Sequence, residues 1–247
     1  MRRVAFYIFT LFIVGLDSSP IFAQKRIDHK SLYWIRYYNT INLNQKWNWQ
    51  TELDTRHYFT NSRQQQFIAH TRVAYKPSSP WYFSAGLTGS WQRPQDPYLT
   101  PRPSTPELRL VQEGSYSQSP LKNISLNYRI RIEQRFISNH PGVLDENHRF
   151  SFRHRYRVQF SYSLPKSAIT FRASDEVFVN ATSENLFGEF DQNRVYMALE
   201  KRISPAFALE LGYMHIHQPV AAKNLLFKRD ALRFTVYHTL NLHSSGI

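Results

Sequence analysis

The sequence predicts an all-β fold, a transmembrane antiparallel up-and-down β-barrel of about 10–12 strands. Three observations predict it. Apolar and polar residues alternate with period two over long segments, several of these segments outrun an ordinary soluble strand, and the connections between them alternate in length.

The alternation is clearest in residues 46–55. Trp47, Trp49 and Leu53 share one parity with Thr51 and Thr55, while Lys46, Asn48, Gln50, Glu52 and Asp54 take the other. A strand points successive side chains to opposite faces, so the segment has one apolar and one polar face. Segments 66–76, 81–92, 123–136 and 149–164 repeat the pattern. In 123–136, Ile124, Leu126, Tyr128, Ile130, Ile132 and Phe136 oppose Asn127, Arg129, Arg131, Glu133 and Arg135. Weaker strands are read at 32–42, 107–118, 169–179, 192–202, 207–217 and 231–242, and no segment after residue 23 carries a helical period. These make eleven segments, whereas single-chain bacterial barrels have an even number. The expectation is therefore twelve, with one strand unread, or ten, with 32–42 at an edge or in the lumen.

The connections at 76–80, 119–121, 165–167 and 204–205 are short, and those at 94–106, 138–147, 180–189 and 218–227 are longer. Short turns on one side and long loops on the other match the periplasmic and extracellular ends of a bacterial barrel. A soluble β-sandwich also alternates, but its strands run to about 5–6 residues, and several segments here exceed the length that a tilted strand needs to cross a bilayer. Tyr33, Trp34, Trp47, Trp81, Trp91, Tyr156, Tyr162 and Tyr213 lie near strand ends, as interfacial aromatic belts require.

Residues 1–23 read as a secretory signal peptide. Arg2 and Arg3 precede an almost continuous apolar run from Val4 to Leu16, and cleavage is expected after Ala23, leaving 24–247 as the barrel. That run is too short to span a bilayer as a helix, which takes roughly 20 apolar residues. There is no cysteine, so an exported chain must hold itself together through its sheet. The mean hydropathy of −0.50 would suit a soluble protein, but only alternate residues of a barrel strand meet lipid. The formal charge of +13 falls to +12 once Arg2, Arg3 and Asp17 leave with the signal. Such a balance invites a nucleic-acid partner. The arginines, however, lie on the polar faces of neighbouring strands, which points them into a lumen, and no nucleic acid is expected.

Several stretches resemble a known family. They are Tyr128-Arg129-Ile130-Arg131-Ile132-Glu133-Gln134-Arg135-Phe136, Arg149-Phe150-Ser151-Phe152-Arg153-His154-Arg155-Tyr156-Arg157, Asp175-Glu176-Val177-Phe178-Val179-Asn180, Asp191-Gln192-Asn193-Arg194 and Leu211-Gly212-Tyr213-Met214. In order along nearly the whole mature chain, they are similar to domain of unknown function 2490, a family of uncharacterised outer-membrane β-barrels. Asp175 departs from the family pattern, which has Asn there. The resemblance implies the outer membrane of a Gram-negative bacterium and no established activity.

The main constellation is Arg109, Glu113, Arg129, Arg131, Glu133, Arg135, Arg153, Arg155, Arg157, Glu176 and Arg194. It reads either as a salt-bridge network filling a narrow barrel, since the arginine fork pairs bidentately with carboxylates, or as an anion-binding or anion-selective lumen. Arginines outnumber carboxylates in the set, so some should lack partners. A lipase or deacylase is the competing class. It would need a Ser/His pair near the lipid boundary, with His70 and Ser84 or Ser90, or else His154 or His238, as candidates. No motif selects a nucleophile, so no catalytic activity is expected. His215 and His217 share a strand face but lack a third ligand. No metal or cofactor is expected. The partners implied are outer-membrane lipid, the barrel-assembly machinery during insertion, and a small anionic solute.

Overall fold

The computed structural model describes residues 26–77, 80–143, 147–181, 188–220 and 224–242. The signal peptide read at 1–23 lies outside these residues. Among them, eleven strands form one closed barrel. They are β1 (Arg26–Asn42), β2 (Trp47–Tyr58), β3 (Gln64–Tyr75), β4 (Trp81–Gln92), β5 (Thr105–Leu121), β6 (Ile124–Ser138), β7 (His148–Ser163), β8 (Ile169–Ala181), β9 (Glu189–Arg202), β10 (Phe207–Val220) and β11 (Leu225–Asn241). No described helix is long and apolar enough to cross a membrane.

The expected count of twelve or ten is corrected to eleven, and the antiparallel description holds for every neighbouring pair but one. Successive hairpins reverse the chain at each step, so an odd number leaves the first and last strands pointing the same way. The barrel closes by pairing β1 with β11 in parallel, in unbroken register from Arg26↔Leu225 to Asn42↔Asn241. The segment at 32–42 is thus a full staple, hydrogen-bonded to β2 on one side and β11 on the other.

Turn chemistry fixes the short end. Asn44 Oδ1 accepts from the amides of Lys46 and Trp47 between β1 and β2, and Ser204 Oγ does the same for Ala206 and Phe207 between β9 and β10. Between β5 and β6 the two-residue turn needs a left-handed residue, and Asn123 takes φ 68°, a conformation Asn tolerates better than most.

The inward and outward parities follow the sequence alternation. Trp49, Leu53, Phe83, Leu87, Ile130, Val158, Met197 and Leu211 are exposed on the outer face, while Gln50, Asp54, His70, Arg72, Arg129, Glu133 and Glu176 are buried inside. The interior is not uniformly polar. Leu32, Trp34, Tyr58, Tyr196, Ala198, Met214, Ile216 and Ala231 form one buried cluster contributed by β1, β2, β9, β10 and β11. Trp34, expected in an outer aromatic belt, is therefore corrected to an interior position, 2% exposed. It sits two residues from Leu32 and Arg36 on the inward parity of β1. Gly212, also inward, leaves room for the Tyr196 phenol, which a Cβ there would strike.

Candidate functional site: the arginine-lined lumen

All eleven residues of the sequence constellation lie on the inner wall and line one cavity of about 920 Å³. Strands β5 to β8 carry most of them, because the 2-residue period stacks inward residues into rungs that face across adjacent strands. Register alone opposes Glu113 to Arg131, Glu133 to Arg153 and Arg157 to Glu176.

Four carboxylates hold this wall together. Glu107 takes Arg109 in a fork, at 2.8 Å from Nε and 2.9 Å from Nη2, and Arg135 at 2.5 Å. Glu113 accepts Arg131 Nε at 2.7 Å and faces Arg72 at 3.5 Å and Arg129 at 3.7 Å. Glu133, 1% exposed, accepts Arg155 Nη1 at 2.7 Å and faces Arg109 at 3.7 Å and Arg131 at 4.0 Å. Glu176 binds Arg155 through both oxygens, at 2.9 and 3.1 Å, and pairs with Arg129. Arg153 instead reaches Asp191 at 3.0 Å. The β8–β9 register shifts between Phe178 and Val179, so Asp191 is the extra residue between Phe190 and Gln192. A bulge of this kind re-aims a side chain.

Two members of the constellation have no carboxylate within ion-pair distance among the described residues. Arg157 donates to Asn127 Oδ1 at 3.0 Å, and its buried Nε has no hydrogen-bond partner. Arg194 donates weakly to Gln192 and lies between the Phe178 and Trp34 rings, 4.6 and 5.6 Å from their centroids. Arg155 at 4.4 Å and Arg153 at 5.9 Å share the Phe178 ring, and Arg56 covers Trp34 at 3.8 Å. Ring faces stabilise guanidinium groups without neutralising them.

Sequence reading missed a second ion-pair centre. Glu210, 1% exposed, gathers Arg233 at 3.1 Å, Arg172 at 3.2 Å and the Tyr196 phenol at 2.7 Å, with Arg36 at 3.8 Å. Its strand alternates weakly because Met214 and Ile216, which share its parity, are apolar. Glu107 was missed too, although it stands two residues from Arg109 on the same face and the spacing could have found it. Altogether fifteen arginines and eight carboxylates line the cavity. Asp28 and Asp191, which pair with Arg229 and Arg153, still leave five arginines in excess.

The two ends of the lumen differ. Towards the short turns the β5–β7 part of the wall is neutral and hydrogen-bonding, with Ser117, Ser125, Asn127, Gln159 and Ser161, while Arg172, Glu200 and Arg202 line the β8–β9 part. At the other end the loop from Arg93 to Ser104 crosses towards the opposite strands. Gln95 O accepts from Lys30 Nζ at 3.1 Å and from Tyr58 OH at 2.9 Å, and Pro97 is buried. Arg63 donates to Pro97 O in the loop and Arg102 of the loop donates to Gln64 O of β3, which ties the loop down. Desolvation holds the Arg102 guanidinium below its usual pKa, and the neighbouring charges of Arg63 and Arg93 act in the same direction.

The Ser/His candidates fall apart. His70, Ser84 and Ser90 face the lumen, on the polar parity of β3 and β4. His70 bonds Thr88, and Ser90 accepts from Gln66 at 2.8 Å. His154 and His238 are on the outer face, stacked on Phe152 and Phe207 respectively. His238 bonds Tyr37 OH at 2.7 Å. His215 and His217 are also outward, and His215 bonds Asp230 at 2.8 Å. Among the described residues no group of three or more His, Cys, Asp or Glu is placed to hold a metal ion. Asp175 points outward, where Asn193 donates to it.

A closed eleven-strand barrel with an ion-paired, arginine-rich interior is the class of protein this geometry defines. The chain belongs to the family described as Protein of unknown function (DUF2490), whose model matches residues 32–226. A comparison with curated proteins finds no match. Among solved structures the chain is similar to the NanC porin, with 12% identity and a TM-score of 0.47, over 78% of this chain and 91% of that one.

Proposed function

We propose that this chain is an outer-membrane β-barrel of a Gram-negative bacterium, exported by a leader removed after Ala23, whose lumen binds a small anionic solute entering from the short-turn end. The observation that carries the solute reading is the charge excess. Fifteen arginines meet eight carboxylates around the cavity, and Arg157 and Arg194 have no carboxylate partner. Unpaired buried charge is costly, and an entering anion relieves it. The loop across the far end favours a cup over an open pore. The membrane reading rests on the outer face, which exposes large apolar side chains on every strand but β8, far beyond the patches that soluble monomers show. Outer-membrane lipid and the barrel-assembly machinery are the partners it implies.

The test is twofold. The protein should fractionate with outer membranes and shift on a gel between unboiled and boiled samples, whereas recovery in the soluble periplasm overturns the membrane reading. In planar bilayers any current should favour anions. With or without current, isothermal titration should detect small organic anions and no cations. Cation preference, or no anion uptake at all, leaves the network as a scaffold alone.

A further inference from the structure

The outer wall carries a built polar cluster around Asp230 that has no part in the lumen. Asp230 of β11 faces outward between β10 and β1. Its Oδ2 lies 2.5 Å from His29 Nε2, its Oδ1 lies 2.8 Å from His215 Nδ1, and the Tyr213 phenol donates to the same Oδ1. Lys228, two residues along the same face, is the register partner of His29 in β1 and of His217 in β10. The cluster stands near the long-loop ends of these strands.

We propose that this cluster is a binding site for the phosphate headgroup of a membrane lipid in the leaflet at the long-loop end. The proposal rests on the membrane reading above. Asp230 fixes which nitrogen of each ring is used, so His29 Nδ1 and His215 Nε2 remain for an acceptor from outside. The side chains of His29 and His215 are 55% and 41% exposed. With a proton on each outward nitrogen, the two oriented rings beside a lysine suit a phosphate, since hydrogen bonds between ionised partners are the strong ones. The carboxylate sits between the two rings, where a shared metal would have to lie.

The neighbouring wall argues for a lipid over a free phosphate. One step towards the short turns, Leu232 lies between Tyr33 and Tyr213, and the next outward rung is Ile35, Phe234 and Leu211. Ile35, Phe234 and Leu211 are all exposed. A headgroup held at Asp230 therefore lays its acyl chain along an apolar strip that begins immediately beneath it, and burial of that chain adds to the affinity.

The experiment is native mass spectrometry of the detergent-solubilised barrel with dioleoyl phosphatidic acid, dioleoylglycerol or glycerol 3-phosphate. The wild type is expected to retain phosphatidic acid over dioleoylglycerol, and the His29→Gln/His215→Gln double variant to lose that adduct several-fold while still shifting on a gel. Should the double variant fail to fold, Lys228→Gln decides, with a smaller loss expected. Arg157→Gln in the lumen should leave the lipid adduct unchanged. Equal retention by wild type and outer-wall variants overturns the proposal, as does glycerol 3-phosphate binding as strongly as the lipid. A wild type that neither shifts on a gel nor floats with phosphatidylcholine vesicles sinks the membrane reading itself, whatever the adducts show.

Discussion

The wall of β5 to β8 and the wall of β9 to β11 with β1 and β2 face one lumen and fill it differently. The first carries Glu107, Glu113, Glu133 and Glu176 laced to arginines. The second carries an apolar cluster of Leu32, Trp34, Tyr196, Met214, Ile216 and Ala231 beside smaller charged groups, Asp54 with Arg56, Asp28 with Arg229, and the arginines around Glu210. Both show apolar residues to the outside. The difference teaches what each filling supplies. Ion pairs taken out of water are close to break-even against apolar packing, so the charged wall contributes fixed geometry and a field. The apolar cluster contributes stability through burial, at roughly 25 cal/mol per Å².

Truncation inside the apolar wall should therefore be the most damaging change. Trp34→Ala removes the largest side chain of the cluster and the platform for Arg56 and Arg194. The expected cost is about 3–5 kcal/mol, read as a fall in the heat-modification temperature. Trp91→Ala, on the outer face, should cost much less in detergent. Equal falls would mean that the apolar interior does not hold the barrel.

Glu133→Gln attacks the charged wall. Three arginines surround this carboxylate, and one-sided loss of a buried pair costs about 3–5 kcal/mol in a dry interior. A cavity that admits water places the cost at the lower end. Arg131→Gln should cost less, because removing one arginine from an excess relieves repulsion. A larger fall for Arg131→Gln would show that the charge excess is not felt in the fold.

The same contrast explains what could be read in the sequence. Segments 123–136 and 149–164 alternate strongly because their inward residues are charged and their outward residues apolar. Segments 32–42 and 207–217 alternate weakly because Trp34, Met214 and Ile216 are apolar on the inward face as well. Trp34 was consequently placed outside, and Glu210 went unseen. The eleven segments were legible, but the even-number rule turned them into twelve or ten, because the closure was not legible. Parallel pairing of β1 with β11 joins residues about two hundred positions apart, and no local pattern encodes it. Asp191 reached the lumen through a bulge, which period-two reading cannot foresee.

Substitutions on the two faces of one strand pair test the register itself. Ile130 and Val158 are exposed outside, and Arg at either should impair insertion by about 2–4 kcal/mol if they lie near a bilayer midplane. Asn127→Arg and Gln159→Arg face the lumen and should be much milder, measured as the yield of heat-modifiable barrel in liposomes. Equal tolerance at both pairs would mean a slip of one residue, which turns every side chain to the other face.

The smallest effect on folding should come from Arg157→Gln, and it is the most informative about the lumen. Arg157 has no carboxylate partner among the described residues, so its loss orphans no buried anion. Its one hydrogen bond goes to a neutral amide, Asn127 Oδ1, which Gln can still serve. The heat-modification temperature should hardly move. Anion uptake should nevertheless weaken, because Arg157 stands where the ion-paired wall meets the neutral residues Asn127, Gln159 and Ser161. An anion arriving from the short-turn end meets this unpaired guanidinium on the same rung as Arg129, whose charge Glu113 and Glu176 already compensate. Arg131→Gln, by contrast, removes a charge that Glu113 already compensates, so it should change stability more and uptake less. If the two variants lose anion uptake equally, the field of the whole arginine lattice sets the preference and Arg157 has no special place in it.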